Sequence, residues 1–166
     1  MIKKQITSKF DKSLFKLQSC DENGINDWDG VDEYIRDFTK KLNDNKHIST
    51  IYSCEGHKLG DYAYFYFNVD ETGWDIYWSK VLPELSYYFC HPVKILGYIP
   101  EDSNVNPYYQ LMWHTNVTDN EHNTGITIYC HLTDYENEEY KVLVGWEEKK
   151  KRFWSIMEET FLKNYK

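Results

Sequence analysis

No segment of the chain limits its fold as tightly as Asp61 to Val69, which reads Asp-Tyr-Ala-Tyr-Phe-Tyr-Phe-Asn-Val. Aromatic and β-branched residues suit a pleated, half-buried backbone, so the run is predicted to be a strand. Its apolar content on both sides argues for a central strand, covered on both faces. Other strands are expected at Ser13 to Gln18, Ile48 to Ser53 and Pro92 to Tyr98. Tyr108 to Val117 and Gly125 to Leu132 read as a hairpin joined by Thr118 to Thr124, and Glu139 to Val144 reads as one strand more.

Helical spacing marks three further segments. The first is capped by Asp29, carries Val31, Tyr34, Ile35, Phe38 and Leu42, and ends at Asn43 to Asn45. The second follows the turn Asp70 to Gly73 and carries Trp74, Trp78, Val81, Leu82 and Leu85. Pro83 is predicted to kink it or to divide it into two short helices. The third runs from about Trp146 and buries Trp146, Phe153, Ile156, Met157 and Phe161. Ile99 to Pro107 is a loop. Adjacent strands outnumber helical crossovers, so the expected class is α+β: residues 1–166 as one domain, with a mostly antiparallel or mixed sheet and about three helices packed on it.

The chain of 166 residues suits one domain. No apolar run approaches the roughly 20 residues needed to span a bilayer, and no signal peptide follows the charged start. A soluble protein acting in the cytoplasm is expected, with no membrane partner. The net charge is -8, from 27 acids against 19 bases. That balance disfavours broad nucleic-acid binding, which draws on a basic surface. Lys149 to Arg152 is the only dense basic run, and Glu147 and Glu148 precede it. The four cysteines are read as free thiols. Aromatics are abundant: 15 Tyr, 6 Trp and 8 Phe. Such rings line pockets as well as filling cores.

The densest chemistry lies in Ser53-Cys54-Glu55-Gly56-His57, between two apolar strands. A plain hairpin needs only Asn-Gly or Asp-Gly there. Gly56 suggests positive φ or a close backbone approach, and successive N–H groups in such a turn form an anion-binding nest. Ser53 and His57 would bind a phosphate or carboxylate, and Glu55 a hydroxyl or base edge. Tyr52, Tyr64, Trp74, Trp78 and Trp113 are the rings chosen to stack on a flat moiety. The predicted ligand is small and anionic or nucleotide-like.

The Ser-Cys-x-Gly core of this turn resembles the signature of the tRNA wybutosine-synthesising protein 3 family, Ser-x-Ser-Cys-x-Gly-Arg. That family binds S-adenosylmethionine and methylates a modified guanosine. His57 stands at the family's arginine, and Tyr52 precedes the serine. The resemblance implies a ligand-facing turn and does not extend to methyl transfer. The longer Ser-Cys-Glu-Gly-His string also resembles one in small uncharacterised bacterial and phage proteins. It suggests a phage or mobile-element factor that sequesters a host signalling nucleotide, in the host cytoplasm.

Two enzymatic patterns are also present. Cys54/His57, Cys90/His91 and Cys130/His131 place thiols beside imidazoles, but strand neighbours point to opposite faces. A cysteine nucleophile is not expected. His47-Ile48-Ser49 and His131-Leu132-Thr133 fit the His-x-Ser/Thr motif of two-histidine phosphoesterases. There one imidazole acts as base and the other as acid on a cyclic or 2′,3′-linked phosphodiester. A zinc site from Cys54, His57 and one more Cys or His is not expected, because paired short spacing occurs only once. No cofactor is called for. A protein–protein module, for instance a homodimer exposing aromatics, is the third reading.

Overall fold

The computed structural model describes residues 10–12, 15–17, 20, 22–90, 111–119, 124–137 and 140–166. Helix α1 (Glu33–Asn43) leads into strands β1 (Ile48–Cys54) and β2 (Tyr62–Val69). Helices α2 (Glu71–Ile76) and α3 (Leu82–Cys90) follow, joined by a π turn at Tyr77–Val81. Strands β3 (Met112–Asp119), β4 (Thr124–His131), β5 (Tyr135–Asn137) and β6 (Tyr140–Val144) precede helix α4 (Trp146–Asn164). The main sheet has the order β1-β2-β4-β3 and is antiparallel throughout; β5 and β6 form a separate antiparallel ribbon. The class is α+β.

Strand β2 is central, as its sequence requires, but its two faces differ. Ala63, Phe65, Phe67 and Val69 are fully buried, while Tyr62 is exposed and Tyr64 and Tyr66 are half-buried. The prediction of cover on both faces is therefore corrected. Phenylalanine has no polar atom and goes inward. Tyrosine keeps its hydroxyl near water and goes outward.

The inward face is the core. Phe65 and Phe67 meet Phe161 of α4 edge-on at 5.7 and 5.3 Å. Phe38 of α1 lies 5.4 Å from Phe65, and Tyr77 of the π turn 5.9 Å from Phe67. Phe89 of α3 packs between Trp113 of β3 and Phe153 of α4, at 4.8 and 5.4 Å. All three helical stretches thus lie on one side of the sheet. The Tyr77 hydroxyl bonds the Thr115 hydroxyl at 2.8 Å, and burial pushes its pKa up to about 12. Strands β2 and β3 run parallel with β4 between them, and the helical crossover that links them makes a split βαβ unit.

Helix starts and the Pro83 region differ in detail from the prediction. Asp29 lies inside a short 3₁₀ turn, Trp28–Gly30, which Asp27 caps; Asp32 takes the N-cap position of α1, and Val31 precedes the helix. The expected division is met in an unbroken helical stretch: a π turn separates α2 from α3, and Pro83 is the second residue of α3. The Leu82 N–H reaches back to the Tyr77 carbonyl, one residue further than in an α-helix. The wider π turn keeps the chain helical where proline removes a donor. Residues 15–17 are not strand, and 13, 14 and 18 lie outside the described residues. The predicted strand Pro92 to Tyr98 and loop Ile99 to Pro107 also lie outside them. No helix among the described residues is long and apolar enough to cross a membrane.

Asp70 ties the sheet to α2. Its carboxylate accepts the Gly73 N–H at 2.7 Å and pairs with His47 Nδ1 at 2.7 Å. Its own N–H donates to the His47 carbonyl at 3.2 Å. Asp70→Ala should lower unfolding free energy in urea by about 2 kcal/mol, a cap plus a polar partner lost. Asp70→Asn, which keeps the acceptor, should lose less than half of that.

Candidate functional site: a turn and a tyrosine face

The Ser53 to His57 turn is held from several sides. Gly56 has φ +83°, and a Cβ there would meet Leu132 Cδ1 at 2.3 Å, so both backbone shape and space demand glycine. The Glu55 N–H donates to Asp32 Oδ2 at 2.8 Å, and the N–H groups of His57 and Lys58 donate to Asp61 Oδ2 at 3.0 and 3.2 Å. The donors predicted to cradle an external anion are thus engaged by the protein's own carboxylates. Glu55 is also occupied. Its carboxylate accepts from Lys150 Nζ at 3.1 Å and from the Tyr34 N–H at 3.2 Å, and its carbonyl accepts Trp154 Nε1–H at 3.0 Å. These contacts lock the turn to α1 and α4.

Strand alternation separates the residues of the turn. Ser53 pairs with Phe65 and Cys54 with Tyr64, so the two side chains leave β1 on opposite faces. Ser53 lines a cavity of about 230 Å³ together with Leu17, Val31, Thr39 and Thr50. That is smaller than the roughly 300 Å³ at which drug-sized ligand pockets begin. Cys54 turns instead toward Asp32 and His57, and His57 Nε2 lies 3.4 Å from Asp32 Oδ2. Burial, with Asp32, Asp61 and Glu55 nearby, raises the Cys54 thiol above its usual pKa, although the Gly56 N–H opposes this. A protein-activated thiolate nucleophile needs the opposite shift.

The structure does not bring His47 and His131 together. His47 precedes β1 at the end where Ile48 pairs with Val69 and Val69 with Thr124; His131 pairs with Tyr62 at the other end. The length of β4 separates them, roughly 24 Å at about 3.4 Å per residue, and β2 lies between their strands. His47 holds Asp70 instead. Ser49 is buried on the outward face, and the Thr133 hydroxyl accepts from Lys149 Nζ at 3.3 Å. Cys130 sits in the core, its thiol pushed by burial up to about 12, while His131 faces outward.

The chosen rings divide between the two sides of the sheet. Trp74 is buried in the core and stacks loosely on Trp78, and Trp113 faces Phe89. These three are packing residues on the helix side. Tyr52 and Tyr64 stand on the opposite face, with company the sequence reading missed. Tyr52 stacks on Tyr66 at 4.6 Å and meets Tyr64 edge-on at 5.8 Å. Tyr62 stacks on His131 at 4.7 Å, and His114 stacks on Tyr129 at 4.5 Å. Gly125 makes room for this array: a Cβ there would meet Tyr66 Oη at 2.4 Å.

The outward positions share one further property. They are Ser49, Tyr52 and Cys54 on β1, and Tyr62, Tyr64, Tyr66 and Asn68 on β2. Strand β4 adds Gly125, Thr127, Tyr129 and His131, and β3 adds Met112, His114, Asn116 and Thr118. None is Asp, Glu, Lys or Arg, in a chain that is 28% charged. Burial holds the Tyr64 and Tyr66 hydroxyls above the usual phenol range, so they stay neutral donors. The face is wet as well as aromatic: Tyr52 and Tyr62 are 37% and 48% exposed, and every outward residue of β3 is exposed. The Tyr/Phe alternation of β2 was the signal that could have found it.

No family model, no curated protein and no solved structure matches the chain.

Two substitutions separate the turn from the face. Glu55→Ala should cost about 2 kcal/mol of stability in chemical denaturation, because it leaves Lys150, half-buried against it, without its partner. Gly125→Val should preserve the fold and displace Tyr66, read as loss of the ring-current shifts between Tyr52 and Tyr66 in proton NMR.

Proposed function

We propose that the protein is a non-catalytic binder of a flat, nucleobase-like ligand, stacked on the tyrosine face of the sheet. The observation that carries this reading is the Tyr/His array across all four strands, free of Asp, Glu, Lys and Arg on an otherwise charged protein. Base–aromatic stacking is worth about 1–3 kcal/mol per base and tolerates any base. A four-stranded sheet with helices behind it is a rigid platform for such stacking. Neutral tyrosine hydroxyls, His114, His131 and Asn116 offer hydrogen bonds at the ring edges.

The charge balance narrows the ligand. With a net charge of -8 and no Lys or Arg on this face, phosphate adds repulsion and meets no Lys or Arg to offset it. A base or nucleoside suits the surface better than a polynucleotide. This keeps the flat base of the ligand expected from the sequence, drops its anionic group, and moves it from the Ser53 to His57 turn to the sheet.

Calorimetric titration with adenosine, guanosine, their 5′-monophosphates and ribose tests the proposal. Nucleosides should bind, ribose should not, and each added phosphate should weaken binding. Tyr52→Ala and Tyr62→Ala should each lower affinity about tenfold, while Tyr52→Phe retains it and His57→Ala leaves it unchanged. Affinity unchanged from the parent in both alanine variants would sink the idea. So would a concentration-dependent mass in ultracentrifugation with no nucleoside bound, which would make the face a contact between copies.

A further inference from the structure

The corner where β1 ends gathers three donors from two places in the chain. Cys54 ends the strand, His57 follows in the turn, and Asp32 stands at the N-cap position of α1. One ligand atom from each lies within 4.8 Å of the other two. Each is tethered. The Glu55 N–H fixes the Asp32 carboxylate at 2.8 Å, strand pairing with Tyr64 sets Cys54, and Asp61 accepts the His57 N–H at 3.0 Å. The His57 ring is 57% exposed, which gives an ion a route in.

We propose that Asp32, Cys54 and His57 bind a zinc-class divalent cation through the Cys54 thiolate, the His57 imidazole and the Asp32 carboxylate. The short Cys-x-x-His spacing brings two ligands around one tight turn, and the positive φ of Gly56 makes that turn. A sulfur, a nitrogen and an oxygen donor select zinc, cobalt(II) or cadmium over magnesium and calcium, which take oxygen. Three protein ligands leave a fourth position for water or a ligand atom. Asp32 and Asp61 make the corner negative, which favours a cation as it disfavours an anion. The sequence reading expected no metal because paired short spacing occurs only once, and it weighed only a Cys or His as the third ligand; the third donor is a carboxylate on another element.

The proposal is independent of stacking on the tyrosine face, and nucleoside titrations in EDTA keep the two apart. The full chain, reduced and stripped with EDTA, is titrated with cobalt(II) and then with zinc. Saturable one-to-one binding is expected, with a sulfur-to-cobalt charge-transfer band in the near ultraviolet that zinc abolishes. Cys54→Ser should remove the band, and Cys20→Ser should keep it. His57→Ala, at an exposed position, should weaken zinc binding about 100-fold or more, beyond the loss typical of a supporting residue. Circular dichroism of each variant confirms that the fold is retained. A band that survives Cys54→Ser, or zinc binding no tighter in the parent than in the Asp32→Ala/Cys54→Ser/His57→Ala variant, would overturn the site.

Discussion

Phe65 and Phe67 set against Phe161 form the contact on which the rest of the structure hangs. They fix which face of β2 is inward, and a strand's side chains alternate with period two. Slipping β2 by one residue would bury its tyrosine hydroxyls and expose its phenylalanines. The regular pairing of β2 with β4, from Tyr62 opposite His131 to Val69 opposite Thr124, carries that choice across the sheet. The outward array of Tyr52, Tyr62, Tyr66 and Tyr129 is thus a consequence of how the core packs. Core and candidate binding face are two readings of one alternation.

Much of this was legible in the sequence, and the exceptions have physical causes. The central place of β2, the β3–β4 hairpin and the apolar stripe of α4 followed from pattern. The inside and outside of β2 did not, because Tyr and Phe were counted alike as apolar. The cap of α1 was misplaced by three residues, from Asp32 to Asp29, because Asp27, Asp29 and Asp32 all suit an N-cap and local chemistry does not choose among them. Pro83 was read as a kink or a division, and α2 and α3 are indeed separate, but no local rule announced that a π turn would join them.

The candidate site was legible as a place more than as a mechanism. Ser53 to His57 is a structured turn with a glycine that cannot be replaced, as its density suggested. Its donors turned out to serve Asp32 and Asp61, which no spacing rule foretells, since the Asp32 contact depends on where α1 meets β1. Trp74, Trp78 and Trp113 were chosen by residue type. Type alone does not tell a core ring from a surface ring, and the pairing register does. The same register parts His47 from His131, whose motifs match locally and whose side chains lie at opposite ends of the sheet.

The position of α4 after the six strands among the described residues has a consequence for how the protein is made. As the chain leaves the ribosome, β2 and β4 emerge before Phe153, Ile156, Met157 and Phe161 do. The nascent sheet must therefore wait with Phe65 and Phe67 only partly covered, by Phe38 and Tyr77 from helices already made. Exposed aromatic strands are prone to pair with other chains. The interval before α4 docks is the protein's period of greatest vulnerability, and the stage at which a chaperone would find most to hold.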